Sequence, residues 1–182
     1  QGDNMKSCWC GNEDFLDYSE GYHYCEVCKT LISKCDIGDS VYSVKDEDED
    51  LYGKNYWEQQ MLGLSGAKNL DELIDLYLKE RTVYWLKCFL KYILPGSSVA
   101  EIGCGLGQFS YLLKKTGYSE NAFELSPEIS EYINKTLNIN VTSKAFESIN
   151  ESYDAIIAFD VFEHIIKPYD FLKNIGARLT EN

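Results

Sequence analysis

From Asn69 to Ile93 the apolar residues recur at helical spacing, and Leu86, Phe89, Leu90 and Ile93 form one stripe. Asn69 and Glu72 are spaced as a capping box at the start, and Pro95-Gly96 is a stop signal at the end. The pattern leaves open whether the helix breaks near Arg81-Thr82. Beyond Pro95 the period alternates. SVAEIG (98–103) reads as a strand, QFSYLLKKTG (108–117) as a helix closed by Gly117, and NAFELS (121–126) as a strand. PEISEYINKTLN (127–138) follows as a helix with Ser126 as its cap and Pro127 in its first turn. INVTSKAF (139–146) and YDAIIAFDVF (153–162) read as strands, and PYDFLKNIGARL (168–179) as a last helix. The nearly continuous apolar run in AIIAFDVF predicts a strand covered on both faces. Strands alternating with helices predict a parallel sheet with right-handed crossovers, an α/β doubly wound domain over residues 97–182.

The first part of the chain has no such period. Residues 5–44 carry five of the seven cysteines and read as a small loop-rich module. The acidic run KDEDED (45–50) reads as a solvated linker or loop, since consecutive like charges repel. It opens a segment, 45–96, that continues with YGKNYWEQQM (52–61), a helical stretch with Tyr52 and Tyr56 on one face. Within the module, Cys8 and Cys10 form one close pair and Cys25 and Cys28 another, with 14 residues between. Two such pairs across one hairpin suit four thiolates around a tetrahedral zinc, so the module is expected to be zinc-ribbon-like, whereas a disulfide inside C-x-C would be strained. The first pair departs from C-x-x-C, and His23 and Cys35 are the possible substitutes.

Composition narrows the partners. The formal net charge is -13 with no stripe of Lys and Arg, which argues against nucleic acid and for a small-molecule ligand. No run of about 18 apolar residues could span a bilayer, so no membrane association is expected. Seven cysteines without a secretory signal suggest a reducing, cytoplasmic setting. Gln1-Gly2 ahead of Met5 reads as the remnant of a purification tag.

The stretch SSVAEIGCGLGQFSYLLKK (97–115) places Gly103, Gly105 and Gly107 where a strand turns into a helix. The expectation is that the glycines let a nucleotide-like ligand approach the backbone. A dinucleotide loop wants G-x-G-x-x-G, and here Gln108 occupies the third glycine's place. The pattern E-x-G-x-G-x-G from Glu101 to Gly107 instead resembles class I S-adenosylmethionine-dependent methyltransferases. The resemblance covers residues 97–175 and implies a Rossmann-like fold with its first four strands in the order 3-2-1-4. It implies that Gly103, Cys104, Gly105 and Gly107 hold the cofactor, with Glu101 nearer the methionine end. Glu124, 17 residues after Gly107, stands at the family's ribose-binding acid, with Leu125 beside it. Ala145-Phe146-Glu147 matches the adenine-edge segment, and Phe159-Asp160 the pocket-lining end of the fourth strand.

A zinc knuckle, then YGKNYW, then this core also resembles bacterial methyltransferases with an N-terminal zinc domain, some of which C-methylate nucleotide-linked sugars. That implies a small polar acceptor, such as a sugar nucleotide, and a tyrosine segment, including Tyr56, lying over the cofactor. Interdomain packing is the other reading of the tyrosines. In DVFEHI (160–165) the same resemblance makes Glu163 and His164 the catalytic pair, with His164 as base; a structural histidine is the alternative. Two rival functions stand beside methyl transfer: a non-catalytic zinc-ribbon interaction protein on a relic scaffold, and a nicotinamide oxidoreductase. The family's sheet has seven strands, whereas four are legible here. The chain is therefore expected to be a fragment, or to bury the edge at Tyr153–Phe159 in a homodimer.

Overall fold

The computed structural model describes residues 7–35 and 43–181. The expected tag remnant at Gln1-Gly2, and residues 5–6 and 36–42 of the expected 5–44 module, lie outside the described residues. Two compact units are present. One combines the described residues of Gln1–Asp39 with Phe162–Ala177, and the other combines those of Ser40–Val161 with those of Arg178–Asn182.

In the first unit, β1 (Leu16–Asp17), β2 (Tyr22–Tyr24) and β3 (Leu31–Ser33) form an antiparallel sheet in chain order. In the second, β4 (Ser98–Ile102), β5 (Ser119–Phe123), β6 (Val141–Thr142) and β7 (Ala155–Ile157) form a parallel sheet ordered β6-β5-β4-β7. This is the expected 3-2-1-4 arrangement. The crossovers use α4 (Gln108–Lys115) and α5 (Pro127–Leu137). The Ser126 side chain accepts from the Ile129 N–H at 3.0 Å, with Pro127 in the first turn, and α5 ends at Asn138 in a left-handed conformation.

The helical stretch before the sheet is broken, and packing explains the break. A π-helical turn (Tyr56–Met61) runs into α1 (Leu62–Ser65), followed by α2 (Leu70–Lys79) and α3 (Arg81–Phe89), with Glu80 at φ -109°, ψ -113° between the last two. Asn69 caps α2 by accepting from the Glu72 N–H, while the Glu72 carboxylate reaches back to the Lys68 N–H. Leu70, Leu73 and Ile74 of α2 join a core cluster with Ile129, Ile133 and Ile139, whereas Leu86 and Phe89 of α3 pack against Val99, Phe109, Leu113 and Tyr118. One straight helix could not serve both clusters. Leu90, expected in the stripe, is 44% exposed.

Two expected strands shorten. INVTSKAF yields only Val141–Thr142, because Phe146–Ser148 coil into a 3₁₀ turn. YDAIIAFDVF yields only Ala155–Ile157, because Asp160 adopts φ 54° and the chain turns away. At the first residue of the expected Tyr153–Phe159 edge the chain pairs with itself: the Tyr153 N–H donates to the Arg178 carbonyl at 2.8 Å, and the Thr180 N–H donates to the Tyr153 carbonyl at 2.9 Å, while β7 is the end strand of the sheet. Among the described residues no helix is long and apolar enough to cross a membrane.

Candidate functional site

The loop from β4 to α4 is built by its glycines in a way the spacing alone misread. Gly103, Gly105 and Gly107 all have positive φ (66°, 55° and 73°), a conformation that side chains rarely adopt. The space a Cβ would occupy is already filled by the protein. It would meet Val161 at 2.5 Å from Gly103, the Trp57 ring at 2.6 Å from Gly105, and Ile139 at 2.6 Å from Gly107. The expectation that the glycines clear room on that side for a ligand is therefore corrected: they allow the loop's own packing. Cys104 is buried in the same core as Leu70 and Leu106, and burial pushes its thiol well up, which makes it a small packing residue.

Two carboxylates are sunk beneath this loop. Glu101 is 3% exposed, and the Ser110 hydroxyl donates to it at 2.5 Å, so it braces the start of α4. Glu124, 8% exposed at the end of β5, accepts from the Gly105 N–H at 3.0 Å and the Ser126 N–H at 3.1 Å. Burial is the main cause that raises both to about 7, and the Glu124 charge adds to the rise at Glu101. A carboxylate offers about four lone-pair positions, so Glu124 can still accept from a ligand hydroxyl.

The segment from Lys45 to Met61 covers the loop; Lys45, Asp46, Asp48 and Glu49 of its acidic start are exposed, as expected of a solvated stretch, whereas Glu47 is anchored. The Glu47 carboxylate accepts from the Ser126 hydroxyl at 2.6 Å, the Glu128 N–H at 3.0 Å and the Lys54 N–H at 2.9 Å. This seats a negative charge on the positive end of the α5 dipole. Tyr56 packs edge-on against Tyr52 and Trp57. Burial raises its hydroxyl, and the charges of Arg81, Asp160 and Glu124 all reach it, so the tyrosine segment borders the carboxylates.

Arg81 starts α3, where the helix dipole disfavours a cation. It is held there by Asp160 at 3.0 Å and by the Tyr77 and Trp85 rings, each centred 4.9 Å away. The sequence reading missed Arg81, Trp57, Glu47 and Ser110; the break it sensed near Arg81-Thr82 was the one signal for Arg81. Phe159 stacks on Trp85 at 4.1 Å and meets Phe109 edge-on, so its ring lies in the apolar layer with α3. Phe146 is buried edge-on against Phe123, with the Arg178 guanidinium over its ring, and Leu125 is 36% exposed beside Glu124. Glu163 and His164 sit together on a 3₁₀ turn in the other unit, with Nε2 and Oε1 4.0 Å apart.

In that other unit the sulfurs of Cys8, Cys10, Cys25 and Cys28 all lie within 4.8 Å of one another. Four thiolates around a tetrahedral metal would sit ~3.8 Å apart, so the set fits such an ion. His23 instead faces Asp17, and neither His23 nor Cys35 belongs to the cluster. The short first pair has a turn one residue tighter than the second. The Gly11 N–H closes on the Cys8 carbonyl and the Lys29 N–H on the Cys25 carbonyl, both at 2.8 Å, with both donors at positive φ (83° and 66°). The Thr30 hydroxyl takes a hydrogen bond from Trp9 Nε1 at 2.8 Å and lies 3.2 Å from the Cys28 sulfur. It holds the Cys28 thiol down at about 6, in favour of the metal-binding thiolate, whereas burial pushes Cys8 up to about 12.

A methyltransferase-domain family model matches residues 74–182. The mitochondrial ubiquinone biosynthesis O-methyltransferase of Schizosaccharomyces pombe is 26% identical over 143 residues, covering 71% of this chain and 48% of that protein. The ubiquinone biosynthesis O-methyltransferase of Xanthomonas campestris is 23% identical over 95 residues, covering 47% and 40%. The chain thus spans about half the length of the curated relatives it matches. Among solved structures, the magnesium protoporphyrin IX methyltransferase of Synechocystis, with SAH bound, shares the fold at a TM-score of 0.51 and 17% identity, over 69% of this chain and 65% of that one.

The raised carboxyls set a pH dependence. Both groups hold protons in the folded protein at pH values where the unfolded chain, with carboxyls near 4.5, has lost them. Their contribution to stability is complete below 4.5 and is lost as pH rises through about 7. The melting temperature of the ligand-free protein is expected to fall across this window, and to fall less steeply in Glu101→Gln. Equal slopes for the two proteins would show that Glu101 does not titrate there.

Proposed function

The chain belongs to the methyltransferase-domain family, and from that premise we propose that it binds S-adenosylmethionine over the β4–α4 loop for methyl transfer to a small molecule. The observation that carries this is Glu124: a buried carboxylate at a strand end, locked to the glycine loop yet with acceptor capacity left. The cofactor would supply an electrophilic methyl group on a sulfonium. The chain's residues would bind and orient it. Glu124 would accept from the ribose hydroxyls, Glu101 would keep the loop and α4 in register, and the Tyr56–Trp57 segment would keep water from the reacting atoms. The three buried or bordering acids, Glu101, Glu124 and Asp160, suit a ligand with a permanent positive charge.

No residue of the described site speaks for a sugar nucleotide as acceptor, and the curated relatives named above are O-methyltransferases of ubiquinone biosynthesis. The proposal therefore stops at a small molecule. Isothermal titration with S-adenosylhomocysteine tests the cofactor. Glu124→Ala should weaken binding by about 1.5–3 kcal/mol, the worth of a hydrogen bond to a charged group. Unchanged affinity in this variant would favour the relic-scaffold reading.

His164 is proposed as the base that takes the acceptor's proton, with Glu163 beside it. His164→Ala should lower the methyl-transfer rate by about 10²–10⁴ while leaving cofactor affinity intact. An unchanged rate would make the histidine structural.

The four-cysteine cluster is proposed to hold zinc as a structural ion. About one equivalent per chain is expected by metal analysis, and Cys25→Ser/Cys28→Ser should lose it and unfold the β1–β3 sheet while the parallel sheet stays folded. Full zinc retention in that double variant would place the ligands elsewhere.

A further inference from the structure

Glu163 and His164 are read above as the reacting pair and the four cysteines as a structural metal site, yet one compact unit contains both. That unit joins the described residues of Gln1–Asp39 to Phe162–Ala177. A glycine links its two parts. Gly11 directly follows Cys10, has φ 83°, and closes the cysteine turn by donating its N–H to the Cys8 carbonyl at 2.8 Å. A Cβ built on it would meet three ring carbons of Tyr169, the nearest at 3.0 Å. The tyrosine ring is therefore seated on the bare backbone of the first cysteine turn.

Tyr169 lies in the first turn of α6 (Pro168–Gly176), and the Lys173 ammonium sits 5.6 Å from its ring centroid. Phe171 is two residues further on, which at 3.6 residues per turn points it about 200° away from Tyr169. It is buried, and its ring centroid is 6.2 Å from that of Phe162. Phe162 starts the 3₁₀ turn that carries Glu163 and His164, and its carbonyl takes the Ile165 N–H at 3.1 Å. The first turn of α6 thus grips the cysteine turn on one side and the acid-histidine turn on the other. A 3₁₀ turn of three residues has little internal hydrogen bonding, so its position depends on what it packs against. A cluster of unliganded thiols is rarely preformed, so loading of the four sulfurs would fix the Cys8–Gly11 turn and the seat of Tyr169 with it.

Resting on the base and zinc readings above, we propose that Tyr169 is a positioning residue: it transmits the order of the metal-loaded cysteine turn to the turn that carries His164.

Backbone hydrogen exchange and imidazole NMR on the full chain test this, with zinc measured in each sample. Tyr169→Ala should keep its zinc and the wild-type exchange over residues 7–35, but exchange about tenfold or more faster over 162–176. Tyr169→Phe keeps the ring carbons that touch Gly11 and should match the wild type. Stripping zinc from the wild type with a chelator should speed 162–176 in the same way, and should add little there in Tyr169→Ala, where the link is already cut. The chain has two histidines, so the His164 signal is the one that His164→Ala removes. That signal should move in Tyr169→Ala and return in Tyr169→Phe. Zinc removal that leaves 162–176 unchanged, loss of zinc in Tyr169→Ala, or an unmoved His164 signal would each overturn the coupling while the zinc reading stands. A wild type without zinc overturns the zinc reading and the coupling together. An unchanged methyl-transfer rate in His164→Ala overturns the base reading and, with it, the positioning role, even where the exchange results hold.

Discussion

The Glu124 carboxylate is the joint on which the second unit turns. By accepting from Gly105 and Ser126 it ties the end of β5 to the glycine loop on one side and to the start of α5 on the other. Ser126 in turn caps α5 and donates its hydroxyl to Glu47, which brings in the segment that covers the loop. Three segments distant in sequence are thus held through one buried acid. At 8% exposure an acid in this position is costly to ionise, and the N–H groups of Gly105 and Ser126 offset part of that cost.

The glycine loop shows why a motif and its mechanism are separate statements. Its three glycines were legible, and so was their place between strand and helix. What they make room for was not, because Val161, Trp57 and Ile139 come from three parts of the chain that meet only once the fold is formed. The left-handed backbone is the requirement that spacing could reveal. The filled space beside each glycine is a tertiary fact.

The same division runs through the rest of the molecule. The parallel order of the sheet followed from alternating periods, and the Ser126-Pro127 cap from local chemistry, because each depends on near neighbours. The clustering of the cysteine pairs was also legible, since two knuckles across one hairpin bring their thiols together. Glu47 was hidden inside KDEDED, where a charge run reads as solvent-facing unless the helix end it caps is known. Arg81 sat where the dipole disfavours it, so only its contacts with Asp160, Tyr77 and Trp85 explain it. The strands at Val141 and Ala155 proved short because the turns at Phe146 and Asp160 are set by packing and by an unusual backbone angle, which apolar composition does not report.

The bonds from Glu47 to Ser126 and Glu128 span 79 and 81 positions along the chain. The neighbouring β4 and β5, by contrast, are joined through one short helix and pair in register from Ser98 with Ser119 onward. Closing a long loop costs entropy before any contact repays it, whereas a strand-helix-strand unit closes locally. The order of assembly is then built into the topology. That favours closure of the β4-β5-β6 part of the sheet and of the α5 cap before the Glu47 segment docks onto Ser126.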